Sequence, residues 1–203
     1  MQFWSAPAPL ILASKSLARR TMLSAVGIPI EIVHAQIDER AIERTIGEKR
    51  DPDELALLLS WEKASAVSFN LPSRIVVGAD QTLAMGSVRF NKPASRDEAR
   101  EQLRRLRGQS HTLHSAVTVV QDGSVQFKVV DTARLRMRNF SDKFLEEYLE
   151  AVGPSVTQSV GGYQLEKLGV HLFERVEGDY FTILGMPLLP LLAYLRQQAF
   201  LKE

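Results

Sequence analysis

The chain has no cysteine in its 203 residues, which removes disulfides, thiolate metal sites and cysteine nucleophiles together. Histidine is scarce too, with four residues: His34, His111, His114 and His171. Only His111 and His114 lie close in sequence, and the alternating, Thr-rich stretch around them reads as a strand rather than a zinc site. No apolar run reaches the roughly 18–20 residues that cross a bilayer. The opening Met-Gln-Phe-Trp-Ser-Ala-Pro lacks the basic region and long apolar core of a secretion signal. These absences predict a cytoplasmic protein with no membrane partner. A dominant charge sign is also missing, 25 Lys+Arg standing against 24 Asp+Glu, so overall charge gives no case for nucleic acid. Arg96, Arg100, Arg104, Arg105 and Arg107 interleave with Asp97, Glu98 and Glu101, the pattern of a solvated helix face. There is no repeat, low-complexity tract or obvious linker, and the length suits one domain with a substantial core.

What is present concentrates at Leu10-Ile-Leu-Ala-Ser-Lys-Ser-Leu-Ala-Arg-Arg20. A short apolar run ends in two hydroxyls and a lysine, and a helix then begins with Ser16 as its expected N-cap. Gly27 and Pro29 would stop that helix. A strand feeding a helix in this way aims free N–H groups and the positive end of the helix dipole at one spot. Ser14, Lys15, Arg19 and Arg20 add donors there, so the segment has the chemistry to hold a phosphate chain.

Further along, residues 29–33 read as a second strand leading to Gln36-Ile-Asp-Glu39. Asp51-Pro-Asp-Glu54 starts a helix with a capping carboxylate, Pro at N1 and acids in the first turn, running to about Phe69. Its inward face is expected to hold Leu55, Leu58, Leu59, Ala66 and Phe69. Lys63 falls in the i, i+4 row of Leu55, Leu59 and Val67, where a lysine is out of place. The apolar run 74–79 predicts a central strand delivering Asp80 at its C-terminal end. A hairpin near Met85-Gly-Ser87, a helix capped by Ser95, strands flanking Asp122-Gly123 and a helix capped by Ser141 follow. The tail predicts strands over 171–176 and 180–183 and a last helix from Pro187. The sum is an α/β fold with a mixed sheet.

Glu39, Asp80 and Lys92 each follow an apolar run, and ligands in open α/β sheets sit outside the carboxyl ends of strands. Carboxylates opposite phosphate-binding cations are what Mg²⁺ or Mn²⁺ needs to bridge protein and phosphate oxygens. A water held there could attack phosphorus in line while Lys and Arg spread the developing charge.

From about residue 9 to 196 the chain resembles the Maf family of nucleoside triphosphate pyrophosphatases. The matching pieces are Leu12-Ala-Ser14 with Ser16 and Arg19-Arg20, Ile37-Asp-Glu39, Glu62-Lys63-Ala64, Val77-Gly-Ala-Asp80, Asn91-Lys-Pro93, Leu106-Arg-Gly108, Gly162-Tyr163, and Glu177-Gly-Asp-Tyr180 with Gly185-Met-Pro187. The resemblance implies one domain over residues 1–203, a two-lobed mixed-sheet fold similar to the inosine triphosphate pyrophosphatases, and an active site in the cleft between lobes. It implies hydrolysis of a nucleoside triphosphate to the monophosphate and diphosphate with a divalent cation, Mg²⁺ or Mn²⁺. A nucleotide-binding regulator of cell division without turnover is the alternative. Under the resemblance Asp80 is the proton acceptor, Ser14, Arg19, Arg20, Lys63 and Lys92 grip the triphosphate, and Glu39 partners the metal or water. Whether Asp80 serves as base or as metal ligand stays open. The implied partners are the nucleotide and, as the assembly to test, a second copy in a homodimer.

Three positions track the base within that family, here Ala18, Gln81 and Glu166. The branch preferring dTTP and UTP carries Arg, Thr and Gln there, and the branch preferring 7-methyl-GTP carries Trp, Gln and Glu, so two of three agree with the second. A carboxylate at Glu166 would accept from guanine N1–H and the N2 amino group and favour a cationic 7-methylated ring. Ala18 cannot stack on a base as Trp would, Leu17 stands where the family usually has proline, and Ser159 stands where many members carry lysine.

Overall fold

A computed structural model describes residues 3–47 and 51–202; Met1 and Gln2 of the N-terminal reading lie outside them. One sheet organises the chain. Its strands are β1 (Leu10–Leu12), β2 (Ile30–Ile32), β3 (Val76–Met85), β4 (Val88–Phe90), β5 (Ser110–Gln121), β6 (Ser124–Met137) and β7 (Phe173–Glu177). Their order is β2-β1-β3-β5-β6-β7, with β4 also paired to β3. β1 runs parallel to β2 and β3, whereas β3–β5, β5–β6, β6–β7 and β3–β4 are antiparallel. The architecture is therefore the mixed α/β sheet expected from the sequence.

Strand β3 is longer than either partner on its outer edge. β1 registers with Val76 and Val77, and β4 with Leu83, Ala84 and Met85. The sheet splits between them, and Asp80 lies in the split. It sits in mid-strand rather than at the strand's end, because Gln81 to Ala84 continue the ladder to β5.

Each face of the sheet is covered by helices. Helix α3 (Pro52–Ser68) packs on one side, where Ala64 and Val67 meet Ile11, Val76 and Val120. Close approach is possible because Gly78 has no side chain: a Cβ there would lie 2.0 Å from Ser60 O. On the other side, α1 (Leu17–Ala25) and α7 (Leu188–Gln197) enclose Leu10, Leu12, Val77 and Val119. Farther along that side, α4 (Arg96–Leu106) and α5 (Asp142–Val152) enclose Leu83, Leu113 and Leu135.

Caps read from sequence are formed: Ser16 accepts from Arg19 N, Asp51 from Asp53 N, Ser95 from Glu98 N and Ser141 from Phe144 N. Asp122 and Gly123 take φ of 50° and 73°, the left-handed pair of a tight hairpin.

Three expectations change. Phe69 caps α3 and is 87% exposed rather than facing inward. Residues 180–183 form a helix, α6 (Tyr180–Ile183), because Asp179 accepts from Thr182 N and Gly185 turns the chain with φ of 105°. An additional helix, α2 (Glu39–Ile46), is capped by Asp38 at one end and Gly47 at the other. Among the described residues no helix is long and apolar enough to cross a membrane.

Candidate active site

A cleft of about 1080 Å³ opens at the split in the sheet. Its lining includes nine of the ten predicted residues: Ser14, Ala18, Arg19, Glu39, Lys63, Asp80, Gln81, Lys92 and Glu166. Arg20 is the exception. It points out of the cleft, is exposed, and borders a separate depression with Ser24, Gly27 and Ile28. On α1 only one of two adjacent arginines can face inward, since neighbours stand about 100° apart on a helix.

The inward arginine repairs the split. Arg19 Nη1 donates to Ala79 O at 2.8 Å and to Ser14 Oγ at 3.2 Å, and Nε donates to Gly185 O at 2.8 Å. The Ala79 carbonyl belongs to the stretch of β3 between its two edge partners, and a buried carbonyl needs a donor. Burial lowers the guanidinium's proton affinity, and the negative fields of Asp80 and Glu39 oppose that.

The misplaced lysine is explained. Lys63 Nζ lies 2.5 Å from Asp80 Oδ1 and 3.0 Å from Glu39 Oε2. The Lys63 and Asp80 side chains are each 10% exposed, whereas Glu39 is 47% exposed. One ammonium thus bridges a buried carboxylate on β3 and a half-exposed one on α2. Lys92, exposed at the cleft rim, is lowered from its ordinary pKa by desolvation first and then by Arg19 and Lys63. The cations are therefore close enough to feel one another, a state that an anionic ligand relieves.

At the entrance to α1 the first-turn amides of Leu17 and Ala18 have no helical acceptor. Ser14 Oγ also accepts from Ser16 N at 3.2 Å, fixing the turn that presents them. Gln81 is more committed than a base reader needs to be. Its Nε2 lies 2.9 Å from Ser115 Oγ, 3.1 Å from Thr182 O and 3.0 Å from Ile183 O, holding the end of α6. Glu166 is exposed at the cleft wall with Gln158, Ser159 and Gln164.

Three charged lining residues escaped the sequence reading, Arg40, Glu43 and Arg89. Glu43 sits one helical turn beyond Glu39, and the Asp38 cap was the signal that could have revealed its helix. Burial raises its pKa, and Asp80 and Glu39 raise it further against Arg89 and Arg40.

Among the described residues no group of three or more His, Asp or Glu is spaced to cage a metal ion. Asp80 and Glu39 do supply two hard oxygen donors, which suits Mg²⁺ completed by phosphate and water rather than by protein alone. Arg100 pairs with Asp97 and Glu146, Arg104 with Glu101, and Arg107 with Asp142. His111 and His114 bind Tyr163 and Asp53 respectively, consistent with strand residues.

Fold and site define a mixed α/β protein whose split sheet forms a cationic, carboxylate-bearing cleft. The chain belongs to the Maf-like protein family, which matches residues 9–198. A relative from Rhodopseudomonas palustris (strain BisB5), named nucleoside triphosphate pyrophosphatase, is 53% identical over 99% of both chains. One of the same name from Nitrobacter hamburgensis is also 53% identical over 99% of both chains. A 7-methyl-GTP pyrophosphatase from Rhizobium meliloti (strain 1021) is 45% identical over 93% of this chain and 95% of that one. Among solved structures, a HAM1 protein from Coxiella burnetii aligns with 65% of this chain and 74% of its own, at 14% identity and a TM-score of 0.41.

Proposed function

We propose that this protein hydrolyses a nucleoside triphosphate to the monophosphate and diphosphate. The observation that carries the reading is the Lys63 ammonium held between Asp80 and Glu39 in a cleft that also contains Arg19 and Lys92. A pure binder of phosphates gains nothing from two acids beside its cations, whereas a hydrolase needs them to handle water. The relatives' names support the same activity.

In the proposed reaction, Lys63 orients Asp80 through Oδ1, and Oδ2 takes the proton of the attacking water. The new oxygen–phosphorus bond forms as the bond to the departing diphosphate breaks. Arg19, Lys92 and the amides of Leu17 and Ala18 would meet the charge that grows on the phosphate oxygens. Glu39, the more exposed acid, would hold Mg²⁺ or Mn²⁺ with Asp80 beside it, and the ion supplies Lewis-acid polarisation when bound.

For the base, the reading is a guanine-like nucleotide such as 7-methyl-GTP, supported by Glu166 in the lining and by the similarity to the Rhizobium meliloti protein. Exposed Leu17 offers the apolar surface that Ala18 lacks. Pyrophosphate release from a panel of nucleotides with Mg²⁺ or Mn²⁺ tests both levels. Turnover should vanish in Asp80→Asn, and Glu166→Gln should narrow the preference for guanine-like bases over UTP. Release from no nucleotide would overturn the enzymatic reading; equal turnover of UTP and 7-methyl-GTP would overturn only the base.

A further inference from the structure

Helix α2 carries Glu39 yet has little to hold it in place. It is eight residues long, shorter than the ~12–15 residues at which an isolated helix becomes marginal in water. Among its described side chains none is fully buried, so those side chains give it little apolar anchorage. Its own caps shape the helix: Ala41 N donates to Asp38 Oδ1 at 2.9 Å and Gly47 N to Glu43 O at 3.1 Å. They do not tie it to the rest of the molecule. Among the described residues two polar contacts do. Lys63 reaches Glu39 in the first turn at 3.0 Å, and Arg89 Nη2 donates to Gly47 O at 2.9 Å at the far end.

Arg89 sits on β4, whose register with β3 fixes it opposite Ala84. Its charge lies at the negative end of the α2 dipole, a favourable placement, and acts on Glu43 in the same cleft. Among the described residues Arg89 Nη1 is buried with no acceptor, and the guanidinium meets the helix end through Nη2 at the wall of the cleft. We propose that Arg89 is a positioning residue that clamps the C-terminal end of α2 and thereby holds Glu39 against Lys63. This rests on the hydrolytic reading of the cleft, because its value to the protein is the placement of Glu39.

The test is a double-mutant cycle on the full chain with Arg89→Gln, Glu39→Gln and the pair, and with Arg89→Lys as the conservative variant. Loss of one charged hydrogen bond of about 1.5 kcal/mol corresponds to about tenfold in rate. Arg89→Gln should lower kcat by that factor, leave KM within about threefold, and lose its effect once Glu39 is already Gln. Arg89→Lys should recover part of the loss. Amide exchange over residues 41–47 should quicken in Arg89→Gln, whether or not any nucleotide is turned over. An undiminished effect in the Glu39→Gln background would overturn the proposal, as would a rise in KM and in the inhibition constant of pyrophosphate at constant kcat. Unchanged exchange would also overturn it. If wild-type protein releases no pyrophosphate from any nucleotide, the hydrolytic reading fails instead, and exchange alone then reports whether the clamp exists.

Discussion

Replacing Gly78 by alanine should damage both the fold and the site, and the size of the damage follows from geometry. The added Cβ would sit 2.0 Å from Ser60 O, 2.7 Å from Ala64 N and 3.0 Å from Ala64 Cβ. Carbon meets its neighbours at about 3.5–4.0 Å, and two of these three atoms are backbone, which no rotamer change can move. Helix α3 must retreat from β3 by more than an ångström. Overfilling a packed interior costs about 1–3 kcal/mol and occasionally more, and a clash with helix backbone belongs at the upper end, about 3 kcal/mol. Gly78 does not lie among the glycines of positive φ, so alanine adds no backbone strain and the cost is steric. The same retreat draws Lys63 on α3 away from Asp80 on β3, which are 2.5 Å apart in the native packing. A misplacement of about 1 Å in a catalytic group costs about 10²-fold in rate. Urea denaturation measures the first effect and pyrophosphate release the second. Gly86→Ala is the control: its Cβ would meet nothing within 4 Å, but φ is 59°, so it should cost about 1 kcal/mol and leave turnover alone. A Gly78→Ala protein with wild-type midpoint and turnover would refute the idea that this contact sets the Lys63–Asp80 spacing.

Lys63→Met leaves Asp80 buried without its cation and should cost about 3–5 kcal/mol; the double variant Lys63→Met/Asp80→Asn should regain much of that in urea titrations without regaining turnover. His111 is 2% exposed, and burial brings its pKa from 6.5 to about 4. The unfolded chain therefore binds a proton that the folded one refuses, and stability falls as pH drops from 6.5 toward 4, by about 3 kcal/mol in all. His111→Phe should flatten that slope in melts run across this window, while losing the Tyr163 hydrogen bond at every pH. Glu43 has the opposite sign: with its folded pKa raised, stability falls as pH rises from the ordinary carboxylate range through the raised value. Glu43→Gln should accordingly raise the melting temperature at pH 8 more than at pH 4, and equal shifts would refute the assignment.

The residues that could be read from the chain are those that violate a local pattern. Lys63 stands out because an apolar helical row should not contain a lysine, and the structure gives it two carboxylates. Asp80 stands out because a carboxylate directly follows a continuous apolar run, and the structure extends the strand past it. Caps were legible because Ser, Asp and Thr bond to amides two or three residues away, an interaction contained in the local sequence. The misses depend on distant partners. Residues 180–183 have the aromatic and β-branched composition of a strand, but the Asp179 cap and the Gly185 turn override that preference. Helix α2 is eight residues long, and Ala41, Ile42 and Ile46 are too few apolar positions to announce it. Arg89 acquires a role only because β4 pairs with β3 and brings it to Gly47, which no spacing in the sequence encodes.

The split in the sheet links stability to chemistry. A strand flanked on one edge by β1 and then by β4 must leave backbone groups unpaired where the partners change, and buried carbonyls without donors are costly. Arg19 supplies the donor for Ala79 O, so its charge is brought to the cleft by the demands of the backbone rather than by the ligand. Asp80, the next residue along, then lies beside that charge and beside Lys63 on α3. Hydrophobic packing of α1 and α3 on opposite faces thus forces two cations and a carboxylate to converge at the single place where the sheet is open. A lysine at position 19 would offer three donors from one point, whereas the bonds to Ala79 O, Gly185 O and Ser14 Oγ come from two nitrogens of a rigid fork, a geometry only arginine provides.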